Sequence, residues 1–274
     1  MRYFVIIVCL LFAGSDALFS DEFLDMLNQR VTDEPSNGYH YYALALYYGK
    51  TGDYNASVKH IKTAYKLEPK SEAILFDMGN ILLNAGNYGD ALVYLKKYLK
   101  IHPDHIPTLI KIATAEIQSG NMNAVDDIVD KLKKRNVSDD ILKIFYLQKG
   151  EYLFKKKQYF SAEREMNKVI DSSDTNLASR AYSTIGSIQA IQGRFSPAVK
   201  SLNIALTLDY TNRAAYYALA YLLESQGLFK KAAETWHLAS TFTEDPEKKS
   251  FCTSRMNKML ERDKMVSSTT KPAR

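Results

Sequence analysis

The sequence predicts an all-α solenoid of six stacked helical hairpins with a capping helix at each end. Three observations predict it. Glycines recur at a fixed period: Gly52, Gly86 and Gly120 lie 34 residues apart, and so do Gly193 and Gly227. Each opens a short turn that runs into an aromatic residue or Met: Gly52-Asp53-Tyr54, Gly86-Asn87-Tyr88, Gly120-Asn121-Met122, Gly193-Arg194-Phe195 and Gly227-Leu228-Phe229. Between the turns the apolar residues are spaced as on one face of a helix. A period in this range is the mark of stacked supersecondary units. The composition agrees, because 7 Pro and 12 Gly against 19 Tyr and 12 Phe favour long, well-packed helices.

Residues 1–17 stand apart from the repeats. Arg2 gives a short positive start, Tyr3 to Ala13 is an almost unbroken apolar run, and Ser15-Asp16-Ala17 ends in small residues. This is the three-part pattern of a secretory signal peptide. The run is well short of the ~20 residues that span a bilayer as a helix. Export to a periplasm or secretion is the expectation, with a membrane anchor at residues 1–17 as the alternative. Residues 18–37 follow as a capping helix and linker, with Ser20 as N-cap and Phe23, Leu24 and Leu27 as its apolar stripe.

The repeats occupy 38–71, 72–105, 106–139, 143–176, 179–212 and 213–245. The second is the clearest. Its first helix carries Leu75, Met78, Gly79 and Leu82, its second Ala91, Leu92, Leu95, Tyr98 and Leu99, and Pro103 stops it. In the fourth repeat Lys157-Gln158-Tyr159 takes the place of the glycine turn. Short insertions near Asp139–Leu142 and Leu177–Ala178 flank that repeat and are expected in the inter-repeat turns. Pro246 opens a C-terminal capping helix over 246–264 with Phe251, Cys252, Met256, Met259 and Leu260, and 265–274 reads as a disordered basic tail.

These units resemble the tetratricopeptide repeat. The resemblance lies in a bulky residue, an apolar-small pair and a second bulky residue on the first helix, then a small and a large residue on the second, then Pro. The second repeat gives Leu75, Met78-Gly79, Leu82, Ala91, Leu95 and Pro103. The first gives Tyr41, Leu44-Ala45, Tyr48, Ser57, Ile61 and Pro69. The fifth gives Tyr182, Ile185-Gly186, Gln189, Ala198 and Leu202, with Tyr210 for Pro. The sixth gives Tyr216, Leu219-Ala220, Leu223, Ala232 and Trp236, with Glu244 for Pro. The third (Leu109, Ile112-Ala113, Glu116, Val125, Val129) and fourth (Tyr146, Lys149-Gly150, Leu153, Ala162, Met166) depart most. The resemblance covers about three quarters of the chain and implies a right-handed superhelix. Gly79 or Ala45 on the first helix is expected to face Ala91 or Ser57 on the second. Gly79→Leu or Ala91→Leu would then overpack the crossing at about 1–3 kcal/mol.

Charge and reactive residues narrow the function classes. The net charge of +5 comes from 246–274, where eight Lys and Arg face Glu247, Glu261 and Asp263, while residues 18–245 are neutral overall. The repeats thus lack the clustered basic footprint of a nucleic-acid binder. With Cys9 in the apolar leader, the mature chain keeps Cys252 alone, so no intramolecular disulfide is expected. His102-Pro103-Asp104-His105 is the one close histidine pair with a carboxylate, and it falls in an inter-repeat turn. The glycines are isolated rather than gathered into a phosphate loop. Asn55-Ala56-Ser57 and Asn136-Val137-Ser138 match the glycosylation sequon. A non-enzyme without cofactor or metal is expected.

The resemblance implies a concave groove lined by the first helix of each hairpin. Carried over by register, its lining is Tyr39, Tyr42, Leu46, Phe76, Asn80, Asn84, Ile110, Thr114, Leu147, Glu151, Ser183, Ser187, Tyr217 and Tyr221. Relatives that clamp a peptide carboxylate use Lys, Arg and Asn there. This lining has Asn80 but only the scattered cations Lys50, Lys111 and Arg180, and its N-terminal half is aromatic and aliphatic. The expected occupant is an apolar-anchored peptide or helix, with Asn80 and Asn84 bonding its backbone. The expected function is a scaffold or adaptor in an envelope or secretory assembly. The alternative is an accessory or regulatory subunit of an envelope enzyme, or a peptide-binding chaperone. Membrane contact is expected only through an uncleaved leader or the basic tail.

Overall fold

A computed structural model describes residues 21–269. The expected leader, the Ser20 cap and residues 270–274 of the expected tail lie outside the described residues. Within them the chain is all helical and forms two compact units, up to Asp130 and from Lys131 onward.

The first unit begins with α1 (Asp21–Asp33), whose Leu27, Phe23, Leu24 and Val31 pack on Ala43, Leu44 and Tyr47 of α2 (Gly38–Thr51). This is the cap the stripe anticipated. The hairpins are α2 with α3 (Tyr54–Leu67) and α4 (Glu72–Asn84) with α5 (Tyr88–Ile101); α6 (Ile106–Ser119) packs on α5, and α7 (Met122–Lys134) follows it in the chain. Side chains start these helices by satisfying their free amides. Asn37 accepts from Tyr39 N, Asp53 from Ala56 N and Ser71 from Ile74 N.

The second unit pairs α8 (Asp139–Lys155) with α9 (Tyr159–Met166), α10 (Thr175–Ile191) with α11 (Phe195–Leu208), and α12 (Arg213–Ser225) with α13 (Phe229–Thr241). The helix α14 (Pro246–Thr269) lies on α13. It extends past the expected end at Lys264 into the segment read as disordered. Its buried Cys252 and Met259 join the core around Trp236. Arg255 pairs with Glu224, which also accepts from Trp236 Nε1 at 2.5 Å.

Two expectations need correction. The insertions beside the fourth repeat do not lie in turns. Asp139–Leu142 and Leu177–Ala178 sit in the first turns of α8 and α10, which reach 17 residues each. Asp139 and Asp140 suit the positive end of a helix, and the Asp174 side chain caps Asn176 N and Leu177 N, so the extra residues extend the helices. The second correction concerns the hairpin crossing. A Cβ on Gly79 would meet Leu95 Cγ and Cδ2 at 2.6 Å, so Gly79 faces Leu95, not Ala91. A helical side chain leans over the turn N-terminal to its own Cα, so Leu95 covers the level of Ala91. Gly186 meets Leu202 and Gly150 meets Met166 in the same way. The first hairpin keeps the expected partners, with Ser57 Oγ donating to Ala45 O at 2.6 Å.

The irregular repeats replace apolar packing with paired charge. Glu116 stands where the second repeat has Leu82, is 3% exposed, and accepts from Lys96 Nζ at 2.7 Å and Asn121 Nδ2 at 3.1 Å. Lys149 stands where that repeat has Met78. It is buried 3.8 Å from the buried Glu165, which Lys168 also meets at 2.6 Å. A buried charge is tolerated only with such partners.

Candidate functional site

The first helices of successive hairpins touch within each unit, α4 on α6 in the first and α8 on α10 on α12 in the second. In the first unit a cavity of about 200 Å³ opens between α2 and α4. Leu46, Gly49 and Lys50 of α2, Tyr54 at the start of α3, and Asp77, Asn80, Ile81 and Asn84 of α4 line it. Leu46, Asn80 and Asn84 were expected in the groove, and the fold brings them together. Tyr42 is buried and reaches the same place from behind, its hydroxyl donating to Asp77 Oδ2 at 2.5 Å. Burial first, then the charge and hydrogen bond of Asp77, raise its phenol well above its ordinary value. Tyr42 therefore stays a neutral donor that ties α2 to α4. Asn80 Nδ2 donates to Asp77 Oδ1 at 2.8 Å.

Asp77 is the residue the register argument missed. Its signal was present, since residues three apart on a helix are neighbours and Asp77 precedes Asn80 by three.

The other expected residues are placed as follows. Tyr39 is half-buried in the first turn of α2. Phe76 lies 4.9 Å from the Tyr98 ring and 5.4 Å from the His105 ring, with Lys111 Nζ 5.9 Å away. Ile110 and Thr114 are half-buried on α6. In the second unit Leu147 is a correction. It is 1% exposed and packs with Met166, Val169 and Ile185 in the core. Glu151 pairs with Arg180 at 2.7 Å, so the Arg180 charge is already engaged. Ser183 and Ser187 turn their hydroxyls onto the α10 backbone, at Arg180 O and Ser183 O. Tyr217 meets Thr243 Oγ1 at 3.2 Å, and Tyr221 sits edge-on to Trp236 under the Arg255 guanidinium. These two tyrosines belong to the seam with α13 and α14.

The turn histidines are occupied locally, His102 by Glu72 at 2.9 Å and His105 by Thr108 at 2.7 Å. Ser57 of the first sequon is buried at the helix crossing, and Asn136 of the second takes a positive φ of 53° after α7. A second depression of about 700 Å³, at the turns around α10, α12 and α13, is polar and lined by residues that include Arg180, Asp209, Arg213 and Glu244.

A tetratricopeptide repeat family model matches residues 42–106 and 184–246, and a second of the same description matches 82–143. The TPR repeat-containing protein MJ1428 of Methanocaldococcus jannaschii is 25% identical over 213 residues, 72% of this chain and 37% of that protein. This chain therefore spans little more than a third of that relative's length. A tetratricopeptide repeat protein structure from Parabacteroides merdae aligns over 93% of this chain and 98% of its own, with 17% identity and a TM-score of 0.65. The structure of pilF from Pseudomonas aeruginosa covers 72% of this chain and 87% of its own, with 18% identity and a TM-score of 0.53. At these identities the likeness is one of fold. With family-model matches over more than half of its length, the chain belongs to the tetratricopeptide repeat family.

Proposed function

We propose that this chain is a non-catalytic adaptor that holds an apolar-anchored protein segment against the first helices of its hairpins, in an envelope or secretory compartment. As a tetratricopeptide repeat protein it is a protein–protein interaction scaffold, with protein or peptide partners. The single observation that carries the finer reading is the cavity between α2 and α4. It is walled by Leu46, Ile81 and Tyr54 and edged by Asn84, so it offers apolar contact beside an amide that can bond an extended backbone. The leader-like residues 1–17 support the compartment.

Site-specific photo-crosslinking in the native compartment tests this. A crosslinker at Leu46 or Asn84 is expected to trap one short apolar segment, mapped by mass spectrometry. The same crosslinker at Val93, which is exposed on α5, is expected to trap none. Equal trapping at Val93, or trapping there alone, would refute the groove as the binding face.

A further inference from the structure

We propose that the cavity between α2 and α4 selects a lysine side chain on the partner segment. The inference rests on the groove reading above and adds the sign of the charge that the groove accepts.

Three observations carry it. The cavity wall holds the Asp77 carboxylate, tied by Tyr42 at Oδ2 (2.5 Å) and by Asn80 Nδ2 at Oδ1 (2.8 Å). Neither donor is charged, and the carboxylate keeps lone pairs available. The second bond also orients Asn80. A carboxylate only accepts, so the amide NH2 turns to Asp77 and the carbonyl turns away. Asn80 Oδ1 is buried and has no donor among the described residues. The buried carbonyl therefore adds negative potential behind the cavity wall, where a carboxylate-holding site would need a donor. Finally, about 200 Å³ is below the ~300–1,000 Å³ of sites for whole small molecules, and suits a single side chain. Leu46 and Ile81 offer an apolar wall to a stem of methylenes, with the Asp77 carboxylate for its head.

Lysine fits this set better than arginine. A guanidinium fork is best met by a carboxylate with both oxygens open, and each oxygen of Asp77 already takes one bond. An ammonium is a compact point charge with three donors, and needs only one lone pair from each acceptor. A glutamate would bring its charge against Asp77. Lys50 stands in the same lining, so its charge weakens lysine capture.

The test uses the full chain and three capped pentapeptides, Ala-Leu-X-Leu-Ala with X as lysine, norleucine or glutamate, titrated by NMR on the Asn80 side-chain amide and the backbone amides of α2 and α4. The lysine peptide is expected to bind about tenfold more tightly than the norleucine peptide, the scale of one hydrogen bond to a charged group. The glutamate peptide is expected to bind most weakly. Asp77→Asn, which keeps an acceptor for Tyr42, should erase the lysine preference, and Lys50→Met should enlarge it. Equal binding of lysine and norleucine peptides at these residues would overturn the lysine pocket and leave the apolar groove standing. Strongest binding by glutamate would overturn it as well. No shift in α2 or α4 with any of the three would overturn both. The peptide comparison on the unaltered chain decides the matter without any variant.

Discussion

Gly79, Gly150 and Gly186 occupy the same place in three hairpins but face different partners, so one substitution separates packing from helix propensity. Replacing a mid-helix glycine by alanine favours the helix by about 1 kcal/mol. Against that stands the space for the new methyl group. At Gly79 it meets Leu95 Cγ and Cδ2 at 2.6 Å and Leu95 N at 3.3 Å, and Leu95 is fully buried with no room to swing aside. At Gly186 it meets Leu202 Cγ at 2.7 Å and the Ala198 carbonyl oxygen at 3.3 Å. Overpacking of this kind costs about 1–3 kcal/mol. The net effect of Gly79→Ala or Gly186→Ala is therefore a loss of up to about 2 kcal/mol. At Gly150 the closest atom is Met166 Cε at 2.7 Å, the far end of an unbranched chain that moves at little cost. Gly150→Ala should be neutral or stabilising by up to about 1 kcal/mol. Urea unfolding followed by circular dichroism gives the ranking. Amide hydrogen exchange then assigns each change to its hairpin, since repeat arrays do not always unfold as one unit. If Gly150→Ala costs as much as Gly79→Ala, or if Gly79→Ala gains the full propensity term, the crossing is not packed as described.

Two further outcomes are expected. Lys157 takes a φ of 60° in the turn where five other hairpins use glycine, so Lys157→Gly should stabilise the α8–α9 hairpin by about 1 kcal/mol, read as slower exchange there; unchanged or faster exchange would count against a strained turn. Burial first and Lys59 second hold the His60 imidazole, stacked on Tyr48 at 5.4 Å, below its ordinary value of 6.5. The unfolded chain then takes up the proton first, so stability falls as pH drops through about 6.5. His60→Gln should flatten that fall in the unfolding midpoint between roughly pH 7.5 and 5.5, and an identical pH dependence in both proteins would show that His60 is not its source.

The groove was legible in part. Register alone put Leu46, Asn80 and Asn84 on one wall because helix geometry repeats with the period of the sequence. It placed Leu147 there too, whereas Leu147 is buried against Met166, Val169 and Ile185. It also read Tyr42 and Phe76 as free aromatic lining. Tyr42 is instead a buried tie to Asp77, and Phe76 is packed among Tyr98 and His105. A register gives the direction of a side chain and not the neighbour it meets. For the same reason the departures at Glu116 and Lys149 looked like weak repeats, although each is a buried charge with its counter-ion at hand.

The sequence by itself determined the all-helical repeat class, because turns need glycine, crossings need small residues, and both recur with the repeat. Local sequence also decides caps such as Asn37, Asp53 and Ser71, whose side chains act on amides two or three residues away. Only the tertiary structure decided that Gly79 faces Leu95, that the insertions lengthen α8 and α10, and that the Asn80 amide NH2 is taken up by Asp77. These outcomes depend on contacts between helices, where the shape and charge of a distant residue set the answer and no local pattern records it.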